Sequence, residues 1–266
     1  MSSRTTTAGV AEPASTKSPP KRGRAARQRP HPNVARIPEI VGRLDNAHGV
    51  PEWRPHRDPV AELVLTILSQ NTSDANSGRA FVRLMERFPT WDAVAAAPLG
   101  DLIAAIKPGG LAPTKAPRIQ AALRDIKERA AGFDLAFLAA MPLEEARTWL
   151  RGIHGVGPKT VACVLMFALG RPAMPVDTHV FRVAMRLGLI PARAGKAMMT
   201  AEKAHALLEA AVPADDFYAF HIGLIKHGRR ICTAQRPRCP DCVLNDLCPS
   251  AVKFHPELRR RHTVRS

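Results

Sequence analysis

The stretch Leu150-Arg151-Gly152-Ile153-His154-Gly155-Val156-Gly157-Pro158-Lys159-Thr160-Val161-Ala162 decides how this chain reads. An amphipathic helix runs to Leu150, glycines follow, and Pro158 stands where a second helix opens. Its missing N–H and fixed φ cost nothing at a first helical position. The pattern is two helices joined by a tight turn. Gly155 and Gly157 reach backbone angles closed to other residues and let their amides approach an incoming surface. Free N–H groups at a helix mouth make an anion seat well sized for a DNA phosphate. A glycine-capped turn that binds nothing shows the same local pattern, so the neighbouring residues must separate the two readings.

Lys159 shifts the balance. It falls in the first turn of the second helix, where the macrodipole disfavours a cation. Positive helix-end potential and partial desolvation both lower an amine's pKa, which turns a lysine into a neutral nucleophile near physiological pH. A lowered pKa is the expectation for Lys159. Further on, Pro175-Val176-Asp177-Thr178-His179-Val180-Phe181-Arg182 places Asp177 at the start of another helix. A carboxylate there suits an N-cap. Two helix starts facing one cleft would also bring it to the amine, which sequence alone leaves open.

Cys232, Cys239, Cys242 and Cys248 are four of the chain's 5 cysteines, spaced C-x6-C-x2-C-x5-C among Arg236, Pro237, Arg238, Pro240 and Asp241. Cysteines placed for burial would be scattered among apolar runs, so this polar, proline-broken loop reads as a ligand set. Zinc normally takes two short C-x2-C knuckles, and only one is present. A [4Fe–4S] cluster on four thiolates is the preferred reading, with zinc as the alternative. Disulfides fit poorly, since no apolar signal segment is evident. The remaining thiol, Cys163, sits in Val161-Ala162-Cys163-Val164-Leu165 and reads as a small buried residue. His221 and His227 share one expected helix without a zinc-protease pattern, and neither is assigned to a metal.

The 266 residues suffice for one domain or two lobes sharing a cleft. No apolar run approaches a bilayer-spanning length, and no membrane partner is expected. A formal charge of +16 and a pI near 10.6 make nucleic acid the leading partner. Residues 1–33 form a basic arm, rich in Ser, Pro and Ala, that is expected to be disordered. Lys21, Arg22, Arg24, Arg27 and Arg29 stand in it, with Glu12 as the only acidic residue. Its prolines break the amphipathic helix that an organellar transit peptide needs, and a cytoplasmic, nucleoid-associated protein is expected. Residues 251–266 form a second basic extension ending in Arg259, Arg260, Arg261 and Arg265.

Between these ends the pattern is helical almost throughout. Asp58 and Pro59 supply a cap and a first helical residue, and Leu63, Val64, Ile67 and Leu68 recur at helical spacing. Further helices are expected near 34–47, 73–87, 99–106, 114–131, 143–151, 158–169, 177–188, 200–211 and 214–229. No period-two alternation is sustained, and the fold class is all-α.

Three separated features together resemble the endonuclease III family of helix-hairpin-helix DNA glycosylases: the hairpin G-V-G-x-K, the segment V-D-T-H-V-x-R-V, and His227-Gly228-Arg229-Arg230-Ile231-Cys232 leading into the cysteine loop. The resemblance spans roughly residues 34–250. It implies two helical lobes flanking a DNA-binding cleft. One is a six-helix barrel with the hairpin, over 57–171. The other is a discontinuous iron–sulfur lobe, over 34–56 and 172–250. It implies Lys159 and Asp177 as catalytic residues, the four cysteines as cluster ligands, and Gly155, Val156, Gly157, Thr160, His179, Gln70 and Asn71 on DNA. The implied activity is base-excision repair by a bifunctional glycosylase and abasic-site lyase, acting as a monomer on double-stranded DNA and removing damaged, oxidised pyrimidines. A G:T or G:U mismatch glycosylase and a non-catalytic DNA-binding module are the alternatives.

The chain also departs from the family pattern. Ile153-His154 stands where the family usually has Leu-Pro, and Pro158 replaces the common basic residue before the lysine. In Leu68-Ser69-Gln70-Asn71-Thr72-Ser73-Asp74, Asn71 aligns with the family's wedge glutamine and Gln70 is its neighbour. Either amide can pair with an orphaned base edge, and either could instead serve to end or cap a helix.

Overall fold

The computed structural model describes residues 33–54, 58–194 and 197–258. The chain runs through α1 (Ile37–His48), α2 (Pro59–Leu68), α3 (Asp74–Arg87), α4 (Trp91–Ala96), α5 (Leu99–Ile106), α6 (Ala112–Ala130), α7 (Leu143–Arg151), α8 (Pro158–Cys163), α9 (Thr178–Leu187), α10 (Ala201–Ala211), α11 (Phe217–Arg230) and α12 (Ala251–Phe254). Among the described residues the one strand pairing is a two-residue-per-strand hairpin, Arg193–Ala194 against Ala197–Met198, too short to carry the alternation that would announce it. The all-α expectation holds.

Caps written in the sequence set the helix starts. The Asp58 carboxylate accepts from the N–H groups of Val60 and Ala61, both at 3.0 Å, and Ser73, Thr90 and Thr200 cap α3, α4 and α10 in the same way. Helix α4 was not foreseen. Its six residues are too few to show a period.

Two apolar cores form. The first gathers α2 to α8, from Val60 to Ala173, with α2 buried on nearly every face. The second joins α1 to α9, α10, α11 and Leu244 and Leu247 beside the cysteines. Leu44 and Gly223 let α1 and α11 cross closely: a Cβ on Gly223 would lie 3.2 Å from the Leu44 Cβ. Helix α8 runs on as a π turn, Val164–Ala168, and passes from one core to the other, with Leu165 in the first and Met166 in the second. Trp53, on the link between α1 and α2, donates its indole N–H to the Met166 carbonyl at 2.8 Å and pins that crossing.

The segment after Cys248, expected as solvated tail, is helical again at Ala251–Phe254. It buries Ala251 and Leu258 against Cys239, so residues 251–258 pack on the cysteine loop. The basic arm, save Asn33, and the terminal arginines lie outside the described residues.

Candidate active site and cysteine loop

A cleft of about 860 Å³ opens between the two cores, walled by α2, α8 and α11, the start of α9, and the loop from Ser69 to Thr72. Lys159 and Asp177 both line it, as do Gln70, Asn71 and His179. Asp177 is also the N-cap of α9, its Oδ1 accepting from Val180 N–H at 2.7 Å. Capping and cleft-lining are thus one residue's two tasks. Asn71 has φ of 54°, a left-handed conformation that asparagine tolerates better than most residues. Ser69 ends α2 and Ser73 caps α3, so neither Gln70 nor Asn71 is used as a cap.

The electrostatics of Lys159 correct one expectation. Burial pulls its pKa down, but the Cys163 thiol, Asp177 and Glu62 outweigh it and raise the pKa above the ordinary lysine value. Burial pushes Cys163 up as well, which keeps it a neutral hydrogen-bonding thiol. Asp177 and Glu62 add their charge to the Cys163 contact in holding the ammonium. Cys163 packs as a buried residue, 2 % exposed, yet it borders the cleft one helical turn beyond Lys159. Its i,i+4 spacing from the lysine was the signal for it. His221, with a ring nitrogen 2.8 Å from the Pro175 carbonyl, forms another part of the wall, and burial pulls it down to about 4.

In the hairpin, Gly155 takes φ of 74° and is exposed with Gly157, while the His154 N–H donates to Asp125 at 2.7 Å. Val156 and Thr160 are themselves buried, and the Val156 N–H donates to the Ile153 carbonyl at 3.1 Å.

The reading of Gln70 and Asn71 also missed two residues beside them. Leu111 is 53 % exposed with φ of 51°, just after Gly110, and Lys115 is buried beneath both turns. The Gly-Gly-Leu sequence was the available signal for a turn that presents an apolar tip.

Cys232, Cys239, Cys242 and Cys248 line one cavity together with His227 and Arg186. No group of three His, Cys, Asp or Glu side chains among the described residues is gathered tightly enough for a single metal ion. The four cysteines share the lining of one space, as the ligands of a common centre must. Arg186 Nη1 donates to Cys232 Sγ at 3.2 Å and Leu244 N–H to Cys242 Sγ at 3.4 Å, as thiolates require. Burial pushes Cys242 up to about 12 and Cys248 up to about 11, so these thiols ionise only with a cation at their centre. Arg182 and Arg186, one turn apart on α9, bind the loop carbonyls of Cys232, Thr233 and Ala234. The helix capped by Asp177 is the helix that grips the cysteine loop.

Comparison with known proteins agrees with this arrangement. The model of the HhH-GPD superfamily of base excision DNA repair proteins matches residues 64–210, and that of the iron-sulfur binding domain of endonuclease III matches residues 232–248. Endonuclease III of Thermotoga maritima is 34% identical over 210 residues, covering 79% of this chain and 89% of that one. The chain belongs to the endonuclease III family. As in that family, it is a base-excision DNA glycosylase that binds DNA and carries a [4Fe–4S] cluster, which decides against zinc. A protein of Arabidopsis thaliana described as a DNA glycosylase is 37% identical over 195 residues, and the chain spans 62% of its length. A solved complex, a trapped endonuclease III–DNA covalent intermediate, superposes with a TM-score of 0.70 at 29% identity, covering 83% of this chain and 97% of that one. Among the described residues no helix is long and apolar enough to cross a membrane.

Proposed function

We propose that this chain is a bifunctional glycosylase and abasic-site lyase acting as a monomer on damaged, oxidised pyrimidines in double-stranded chromosomal DNA, with Lys159 as nucleophile and Asp177 as its carboxylate partner. The observation that carries the reading is that both residues line one cleft and that Asp177 is among the charges acting on the Lys159 amine. The damaged nucleotide turns out of the duplex into that cleft. Gln70 and Asn71, with Leu111 beside them, fill the gap it leaves. Gly155, Gly157 and the start of α8 hold the phosphate backbone, and His179 faces the same strand.

Lys159 passes its ammonium proton to an acceptor, for which Asp177 is a charged candidate in the cleft, and the freed lone pair attacks C1′ of the everted sugar. The C1′–N bond to the base breaks, and the base leaves with a proton. Asp177 stabilises the positive charge that develops on the sugar. Ring opening gives a Schiff base between Nζ and C1′. Loss of a C2′ proton then expels the 3′ phosphate. Cys232, Cys239, Cys242 and Cys248 hold the cluster, which when bound cross-links the loop and sets the path of its arginines along the DNA. The trapped covalent protein–DNA complex of the structural relative supports a covalent step.

The test is a panel of duplexes, each with a single oxidised pyrimidine, G:T or G:U pair, scored separately for base release and nicking, with borohydride present in parallel. A protein–DNA adduct formed by the native chain and absent in Lys159→Ala is expected. An undiminished adduct in the variant would remove Lys159 from the mechanism, and release without nicking would leave a monofunctional enzyme.

A further inference from the structure

Lys115 is the buried cation that the chemistry above does not use. It lies in the first turn of α6, where the helix dipole opposes a positive charge, and only 2 % of it is exposed. No carboxylate among the described residues pairs with it. Its Nζ donates instead to the carbonyls of Leu68, at 2.6 Å, and Gly109, at 2.8 Å. Burial pulls its pKa down. Burying a cation this way carries a desolvation cost, which two well-made hydrogen bonds to helix-end carbonyls offset.

The two acceptors share a position in the fold. Leu68 is the last residue of α2, and the chain beyond it is the Gln70–Asn71 turn. Gly109 closes the helical turn Lys107–Gly109, and the chain beyond it is Gly110 and Leu111. Each turn carries a non-glycine residue in the left-handed region, Asn71 at φ 54° and Leu111 at φ 51°, two of the three such residues among those described. Left-handed backbone at such residues costs energy and persists only where the surroundings enforce it. The turns are also packed close: a Cβ on Gly109 would lie 3.1 Å from the Ala80 Cβ and 3.8 Å from the Leu68 carbonyl oxygen. One ammonium therefore satisfies the orphan carbonyls at the root of both turns.

We propose that Lys115 is a positioning residue that fastens the Gln70–Asn71 turn and the Leu111 turn into one rigid wedge, so that amide and apolar tips enter the duplex together. This rests on the glycosylase reading. Lys115 touches neither DNA nor the reacting sugar. Its effect is confined to steps in which an opposite strand must be invaded, and it leaves the lysine–sugar chemistry alone.

The test separates those steps. Lys115→Met fills the volume and removes the donors. Invasion is read without chemistry by the fluorescence of 2-aminopurine placed opposite a tetrahydrofuran abasic analogue in a duplex bound at saturation. Chemistry is read as the ratio of strand cleavage at an abasic site in duplex to that in single-stranded DNA. The native chain is expected to unstack the 2-aminopurine and the variant to lose that signal. The duplex-to-single-strand ratio is expected to fall about hundredfold, the cost typical of a misplaced group of this kind.

Equal losses on both substrates would make Lys115 a general stability residue and overturn the proposal, as would an unchanged fluorescence response. Lys115→Gln, which keeps an N–H donor on a shorter arm, carries the same comparison if the methionine variant does not fold, and is expected to fall between native and Lys115→Met. Failure of both to fold would make the residue a folding determinant and sink the positioning role. Absence of base release by the native chain from every lesion is a separate result, which counts against the glycosylase reading and not against the wedge measured by fluorescence.

Discussion

Asp74 Oδ2 and Arg229 Nη1 form an ion pair at 2.8 Å that joins the first residue of α3 to the last turn of α11. The two helices belong to different cores, and both residues line the cleft that holds Lys159 and Asp177. Both side chains are about half exposed or more, so the pair itself contributes little to stability, about 0–1 kcal/mol. Its interest lies in competition: an arriving phosphate must displace Asp74 to use Arg229.

Replacing Asp74 by Asn removes that competitor and leaves Arg229 free for DNA. Affinity for duplex DNA at low salt is expected to rise, and the slope of log K against log salt to steepen by about one counterion. Fluorescence anisotropy across a salt series measures both. An unchanged slope would mean that Arg229 never meets a phosphate.

The raised pKa of Lys159 fixes a direction for its pH profile. Burial alone would lower it, but the Cys163 thiol together with Asp177 and Glu62 outweighs burial, so the amine of the DNA-free protein is protonated near neutrality. Below that pKa the neutral fraction grows about tenfold per pH unit, and Schiff-base trapping on abasic duplex rises with pH. Glu62→Gln removes one of the charges holding the proton. Its acidic limb should move to lower pH, with faster trapping at pH 7. A limb displaced to higher pH would show that Glu62 helps to take the proton off.

Much of this architecture was legible in local chemistry. Asp58-Pro59, Ser73 and the Gly-Val-Gly turn announce helix ends because capping is decided within a few residues. Cysteine spacing announced the cluster because ligand reach is also local. Glu62, Cys163 and His221 stayed invisible as a group, since they come from α2, α8 and α11 and meet only across the packed cleft. The Lys159 pKa was misjudged for the same reason. The helix dipole can be read from sequence, whereas Asp177 and Glu62 arrive from distant segments and add to the neighbouring Cys163.

Asp177 combines a cap with a cleft carboxylate, and two substitutions separate these roles. Asn caps about as well as Asp, while Ala loses the bond to Val180 N–H and about 1 kcal/mol. Both variants should lose base release by a factor on the order of 10²–10³, the cost of removing one electrostatic stabiliser. Only Asp177→Ala should also lower the melting temperature. A melting loss as large in Asp177→Asn would mean that the charge, and not the cap, supports α9.

Arg186 ties the cysteine loop to α9 more tightly than any other side chain, reaching Cys232 Sγ, the Thr233 carbonyl and the Ala234 carbonyl while its guanidinium lies 4.6 Å from the centre of the Phe254 ring. Hydrogen bonds of a charged donor contribute about 1.5–3 kcal/mol each. Losing even part of that should speed opening of the loop at least about tenfold. Arg186→Gln is therefore expected to bleach the absorbance near roughly 400 nm and release iron to a chelator faster than the native chain. The α2–α8 core, which lies elsewhere, should keep its helical circular dichroism. Iron release at the native rate would show that the four cysteines hold the cluster without help from α9.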